Sequence, residues 1–254
     1  MEVPLTRTVL VITAVAAEAT AVLDALRPAV VSESRTVSES TAVSELAVGP
    51  YRGCRVAGDA TVAVLAGGIG PAAAAAATAA GLALQPEVQL VLSVGIAGGF
   101  AEAGVAVGDT VLAASSVYAD LGADTPAGFQ SAAGLGWSAV EYAGSSTLLA
   151  AVGERLRSAD LIVHTGAVIT VSTVTGTANR ATELYARHRP VAEAMEGAAV
   201  AATAARFGCP FLELRTVSNP VGRRNRTAWD IPGALVALRE ALAAARPVLL
   251  AGRG

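Results

Sequence analysis

The 254-residue chain contains no lysine; all 18 of its basic residues are arginine. Against 21 acidic residues they leave a formal net charge of −3, a balance that argues against a general nucleic-acid binder, which carries a basic face. Cysteine and histidine are almost as scarce: Cys54, Cys209, His164 and His188 are all there are. No Cys/His pair has zinc-ligand spacing, so neither a metal nor a metal cofactor is expected. Two isolated cysteines make no disulfide framework and read as buried free thiols in a reducing compartment. Also missing is a stretch of about 18 apolar residues free of a charge or a Gly/Pro break, which excludes a membrane-spanning helix. Residues 1–7 lack the basic, apolar and small-residue order of a secretion signal. The expectation is a soluble, cytoplasmic protein with neither nucleic acid nor membrane as partner.

What is abundant is apolar character. Hydrophobic residues make up 53% of the chain and charged residues 15%, the reverse of a disordered composition. Much of the excess is alanine. Together with arginine in place of lysine it reads as a coding bias and carries no functional message. The length suits one large domain or two small ones. With no linker, charge run or internal repeat, one domain over residues 1–254 is expected.

Apolar, β-branched runs at 8–14, 61–65, 88–94, 110–115, 168–174 and 210–218 read as buried strands. Helical patterns at 17–26, 71–84, 146–156, 179–188, 197–207 and 232–245 alternate with them. Pro71 suits a first helical turn, and Gly208 a helix stop. The polar, alternating stretch 30–49, with 51–56, suggests an antiparallel excursion. Residues 191–195 read as short and extended. Buried strands alternating with helices predict an α/β three-layer sandwich around a central mixed, largely parallel sheet.

Several segments carry candidate chemistry. Gly68-Ile69-Gly70-Pro71-Ala72-Ala73 fits a loose dinucleotide fingerprint, but the following strand ends Ser93-Val94-Gly95 without the carboxylate that such a site needs. The bland alternative is close helix–strand packing. Gly95-Ile96-Ala97-Gly98-Gly99 ends a strand, where open α/β sheets bind ligands; a plain tight turn fits the same residues. Glu18 is a lone carboxylate among small apolar neighbours just past the first strand. That setting raises a carboxyl pKa, as a general base needs, although a helix-N-terminal carboxylate favoured by the dipole reads the same way. Glu196, in Ala194-Met195-Glu196-Gly197, repeats the theme; a ribose diol would supply its hydroxyl donors, and an ion-paired helix start is the alternative. Residues 223–226 hold three arginines, the densest cationic patch in the chain, followed by Trp229. Arginine recognises carboxylate or phosphate by bidentate bonds, and a solvated turn is the alternative.

Taken together these segments resemble the nucleoside phosphorylase/nucleosidase superfamily from about residue 9 to 242. Within it they are most similar to the methylthioadenosine/S-adenosylhomocysteine nucleosidases and especially to the futalosine hydrolases of menaquinone synthesis. The carrying pieces are the Glu18 segment, Gly68-Ile69-Gly70, Val94-Gly95-Ile96-Ala97-Gly98-Gly99, Val107-Gly108-Asp109, Ala194-Met195-Glu196-Gly197-Ala198-Ala199 and Arg215-Thr216-Val217-Ser218-Asn219. The arginine loop ending Ala228-Trp229-Asp230-Ile231 points to the futalosine branch.

The resemblance implies hydrolysis of an N-glycosidic bond of a small purine nucleoside, without a cofactor, by a homodimer or higher homo-oligomer. Glu18 matches the base that activates water. Glu196 matches the carboxylate that grips the ribose hydroxyls, and Met195 packs on the sugar. Gly95, Ala97, Gly98 and Thr175 fall at substrate-binding positions. Asn219, the second catalytic candidate, stands where adenine-specific nucleosidases have an aspartate that protonates purine N7. An asparagine amide can donate to both O6 and N7 of a 6-oxopurine, which suits hypoxanthine as the leaving base. Arg226, nearest Trp229, is the first choice for a contact with the distal carboxylate of futalosine. The strand-end loops around Glu18 and Gly95 hold no arginine, which favours water over phosphate as nucleophile. A methylthioadenosine/S-adenosylhomocysteine or aminodeoxyfutalosine nucleosidase, a purine nucleoside phosphorylase, a dinucleotide-dependent oxidoreductase and a non-catalytic nucleoside-binding relative are the alternatives.

Overall fold

The computed structural model describes residues 7–26, 43–56 and 60–251. Along the chain they form β1 (Arg7–Thr13), α1 (Ala16–Leu26), β2 (Val43–Val48), β3 (Tyr51–Val56), β4 (Ala60–Ala66), α2 (Pro71–Leu84) and β5 (Val88–Gly99). There follow β6 (Thr110–Tyr118), β7 (Gly122–Thr125), β8 (Gly128–Ser131), β9 (Glu141–Ala143), α3 (Ser146–Arg157), β10 (Val163–Thr170) and α4 (Ala178–His188). The last elements are β11 (Ala192–Ala194), α5 (Gly197–Arg206), β12 (Phe211–Pro220) and α6 (Ile231–Leu250).

The large sheet has the order β11-β10-β6-β12-β5-β1-β4-β3-β2. β1 pairs in parallel with both β4 and β5, and β12 in parallel with β5, whereas β12 meets β6 antiparallel. It is thus the mixed, largely parallel sheet that the alternation of elements predicts. β1 shows why it lies at the centre. Its continuous apolar run buries both faces: Val9 and Val11 pack with α1 and α6, while Leu10 and Ile12 pack with α2 and α5. A strand covered on both sides needs such a run rather than polar alternation. The layer holding α1, α3 and α6 covers one face through Val22, Leu26, Leu156, Leu238 and Leu242. On the other face, Ala74 and Ala77 of α2 meet Ala199, Val200 and Ala204 of α5. The alanine excess has its packing use here, since small side chains let two helices approach closely.

One departure from simple α/β layering positions the site. β5 runs through the glycine segment that the sequence places after the strand 88–94, ending only at Gly99. Its far end pairs antiparallel with β11, Ala192 opposite Gly99 and Glu193 opposite Gly98. β11 also pairs with β10. Strands β5, β12, β6, β10 and β11 therefore curl into a closed ring. The curl needs glycine: a Cβ on Gly99 would sit 2.9 Å from Val105 and Val217, and one on Gly98 would sit 2.8 Å from Val221.

Other expectations shift. The strand placed at 168–174 runs at Val163–Thr170, because residues beyond Thr170 leave the sheet as a loop. The last helix continues to Leu250, with Leu249 buried in the core. The short strands β7, β8 and β9 carry too little apolar pattern to be read in advance. Of the antiparallel excursion, β2 and β3 form a hairpin, and residues 30–42 lie outside the described residues. Cys54 and Cys209 are half-buried rather than buried. Cys54 lies on the outer hairpin and Cys209 in the turn leading to β12, where neither is fully covered. Among the described residues no helix is long and apolar enough to cross a membrane, and no group of three His, Cys, Asp or Glu side chains could hold a metal ion.

Leu242 of α6 is fully buried in the cluster that joins the α1–α3–α6 layer to the sheet. Leu242→Ala is expected to cost about 2–5 kcal/mol. The check is a lower midpoint of chemical denaturation with the slope unchanged.

Candidate active site

A cavity of about 390 Å³ opens at the carboxyl ends of β1, β5 and β12, within the range of small-molecule sites. Its walls include Glu18, Met195, Glu196 and Asn219. Ala97, Gly98, Thr175 and Trp229 also line it. Eight of the ten positions singled out in the sequence are thus brought together. The remaining two, Gly95 and Arg226, do not line the cavity.

Glu18 lies in the first turn of α1 and is only 3% exposed. The tight β1–α1 connection lets its carboxylate fold back over the strand end. Oε2 accepts from the N–H groups of Ala14 at 2.9 Å and Val15 at 3.2 Å, and Oε1 from that of Ile96 at 2.9 Å. Burial pushes its pKa above the ordinary carboxylate value, opposed by the nearby Arg215 guanidinium and the backbone bonds. Glu196 stands just before α5 with its side chain turned away from the helix N–H groups, and its Oε1 accepts from the Gly70 N–H at 3.1 Å.

Arg215, which was not singled out in the sequence, is ion-paired to Glu196 and close enough to Glu18 to lower its pKa. It sits on β12, 1% exposed. Nε donates to Glu213 Oε1 at 2.9 Å, Nη2 donates to Ser93 Oγ at 2.9 Å, and Nη1 lies 3.5 Å from Glu196 Oε2. Burial alone would lower its proton affinity; Glu213, Glu196 and Glu18 outweigh that and raise it. Gly95 earns its place behind this cluster rather than at the ligand. A methyl there would overlap Glu18 Oε1 and lie 2.7 Å from Arg215 Nη1.

Glu193 is a second residue that the sequence reading passed over. It lines the cavity from β11, buried, accepting from the Thr175 N–H at 2.8 Å and from the Thr175 hydroxyl. Burial raises its pKa, against the Thr175 bonds. The signal available was the one that marked Glu196: a lone carboxylate between alanines, three positions earlier.

Asn219 has less freedom than its amide suggests. Its Oδ1 accepts from Ser218 Oγ at 2.9 Å, and its Nδ2 donates to the Pro220 carbonyl at 3.1 Å. A carbonyl neighbour requires the NH₂ group on that side. One amide hydrogen remains for a ligand, so Asn219 can serve O6 or N7 of a 6-oxopurine but not both.

In the cationic loop it is Arg224, not Arg226, that lines the cavity. The Arg224 guanidinium lies 5.0 Å from the centre of the Trp229 ring, a cation–π distance. Its backbone N–H donates to the Gly176 carbonyl at 3.2 Å, which ties the loop to the segment carrying Thr175. Arg226 instead opens a short 3₁₀ turn, Arg226–Ala228, with all three residues exposed.

A fold of this topology with paired carboxylates at its strand ends defines a class. A sequence profile of the phosphorylase superfamily matches residues 8–250, and the chain belongs to that superfamily. Within it, the chain is 47% identical to the futalosine hydrolase of Streptomyces coelicolor over 191 residues, 73% of this chain and 79% of that one. It is 44% identical to the futalosine hydrolase of Acidothermus cellulolyticus over 239 residues, 92% and 88% of the two chains. Among solved structures, native futalosine hydrolase of Helicobacter pylori matches with a TM-score of 0.80 at 20% identity, covering 96% of this chain and 98% of that one. The 5′-methylthioadenosine/S-adenosylhomocysteine nucleosidase of the same organism also matches with a TM-score of 0.80 at 20% identity, covering 96% and 99%. These matches show the fold.

Gly95→Ala is expected to lower kcat at least about 10²-fold, because the methyl displaces Glu18 or Arg215 by an ångström or more. Steady-state kinetics alongside a thermal melt check this: activity should fall far more than the folded fraction at assay temperature.

Proposed function

We propose that the protein hydrolyses the N-glycosidic bond of futalosine and releases hypoxanthine. The reaction type rests on one observation: Glu18 and Glu196 face a single cavity, with the buried Arg215 guanidinium close to both. The names of the two relatives at 44–47% identity support the substrate. In this reading Glu18 takes a proton from water as the water oxygen bonds to C1′. The C1′–N9 bond breaks, its electron pair leaves with the base, and the purine anion takes up a proton from solvent to become hypoxanthine while Glu18 returns its proton to solvent. Glu196 accepts from the ribose hydroxyls, Met195 lies against the sugar, and the free amide hydrogen of Asn219 donates to the purine.

The charge balance favours this chemistry. One guanidinium faces Glu18, Glu196 and Glu213; burial raises the pKa of Glu18 and Glu213, and with all three ionised the site carries surplus negative charge. That surplus stabilises the positive charge that develops on the sugar in the transition state. It also repels phosphate, and Arg215 is already engaged by carboxylates. Water is therefore the nucleophile. Arg224 and Trp229 together suit the distal benzoate: the guanidinium for the carboxylate, the indole for the ring. A cytoplasmic role in menaquinone synthesis belongs to the same proposal. So does a homo-oligomer, supported by the exposed aliphatic residues Val15, Ile69, Val174 and Ile231 around the cavity mouth.

The test is release of free base from futalosine, aminodeoxyfutalosine, methylthioadenosine and inosine. Fastest turnover of futalosine, unaccelerated by phosphate, is expected; phosphate-dependent formation of a ribose 1-phosphate would sink the hydrolase reading. Glu18→Gln should lower kcat by about 10²–10⁴. The base acts ionised, and burial raises its pKa. The acid limb of kcat/KM should therefore lie above the usual glutamate range, activity being lost as pH falls through it.

Arg224→Ala should lose about ten- to a hundredfold in kcat/KM on futalosine and little on inosine. That is the worth of a hydrogen bond to a charged group. Arg226→Ala should stay within roughly twofold of wild type on both, since Arg226 does not line the cavity and its solvated charge contributes little. Equal loss on the two substrates would show that the loop does not read the carboxylate.

A further inference from the structure

Glu213 does not line the cavity, yet its side chain is wholly buried, at 0% exposure. It lies on β12 two residues before Arg215. Its Oε1 accepts from Arg215 Nε at 2.9 Å, and its Oε2 accepts from the hydroxyl of Ser116 on β6. The chain makes room for it: a Cβ on Gly197, the first residue of α5, would fall inside the Glu213 carboxylate. Stability does not account for such a group. Burying a carboxylate costs several kcal/mol, and a buried ion pair is often no more stabilising than well-packed apolar residues of the same volume.

We propose that Glu213 is a positioning residue for the hydrolysis: with Ser116 it holds the Nε side of Arg215 and so keeps the guanidinium from closing onto Glu18. The inference rests on Glu18 acting as the base. Each part of the guanidinium has a partner: Nε has Glu213, Nη2 has Ser93 on β5, and Nη1 faces Glu196 at the start of α5. Glu18, on α1, is held by three backbone N–H groups instead. The charges facing one another from the surrounding elements are Glu18, Glu196, Glu213 and Arg215; Ser93 and Ser116 add neutral hydroxyls. If Glu213 lost its charge, Arg215 would be balanced by Glu196 and Glu18 alone. Glu18 would then be drawn into the ion pair, and a carboxylate paired to a guanidinium is a weaker base. Surplus negative charge in the cluster therefore keeps the base basic.

Glu213→Gln keeps the size of the side chain, an acceptor for Nε and a partner for Ser116, and removes only the charge. The expected result is a shift of the acid limb of kcat/KM to lower pH by about one unit. Plateau kcat should fall up to roughly tenfold as the base weakens. Glu213→Asp keeps the charge but draws the carboxylate one methylene back from Nε. Its acid limb should stay in place while kcat falls roughly tenfold or more. An unmoved acid limb in the glutamine variant overturns the proposal. So does a loss uniform across pH that tracks the folded fraction. Wild-type kcat in the aspartate variant overturns it whether or not the glutamine variant folds.

Rates are measured on whichever purine nucleoside the wild type cleaves. A wild type inactive on futalosine but active on another nucleoside sinks the substrate assignment and leaves this test standing. With no turnover at all, the Glu18 carboxyl is titrated by infrared difference against Glu18→Gln. A downward shift in the Glu213→Gln background supports the proposal, and no shift overturns it.

Discussion

A single buried positive charge organises this site. The Arg215 guanidinium, 1% exposed, lies in a medium where an isolated charge is prohibitively costly, so anions must come to it. They come from three parts of the chain: Glu18 from the first helix, Glu196 from the start of α5, and Glu213 from its own strand. The residues that yield space, Gly95 and Gly197, do so for these side chains. Three carboxylates around one guanidinium hold more negative charge than the arginine can balance. The excess turns a cluster that would otherwise be a structural ion pair into one suited to a cationic transition state.

Backbone closure then decides what the cluster faces. The antiparallel pairing of β11 with the end of β5 carries Glu193 and, just beyond it, Met195 and Glu196 to the rim of the same cavity that Glu18 enters from the first strand. An open sheet would leave these segments apart. The reacting end is built on strand ends and first helical turns, whose backbone hydrogen bonds fix the side chains. The distal end, with Arg224 and Trp229, is an exposed loop pinned to the Thr175 segment by one backbone bond. Chemistry and substrate discrimination therefore rest on parts of different rigidity. That is the usual division between a scaffold and the loops it presents.

Local signals in the sequence were sufficient for much of this. The apolar run of β1, the Pro71 start of α2 and the alternation of strands with helices determined the α/β layering, because burial on both faces and helix initiation are short-range requirements. Glu18 and Glu196 were legible as lone carboxylates among small apolar residues, since such neighbours offer a charge no local partner. Tertiary structure alone decided the rest. Glu-Leu-Arg within β12 looks like ordinary strand alternation; the bonds that give it meaning reach Ser93 and Ser116, 122 and 97 residues away in sequence. The glycines of 95–99 read as a ligand-binding strand end or a tight turn, but long-range pairing with β11 made them the bent end of the strand itself. Arg224 and Arg226 are equivalent in composition. Only a cation–π contact and a backbone bond to Gly176 separate them, and both depend on distant residues that no local pattern specifies.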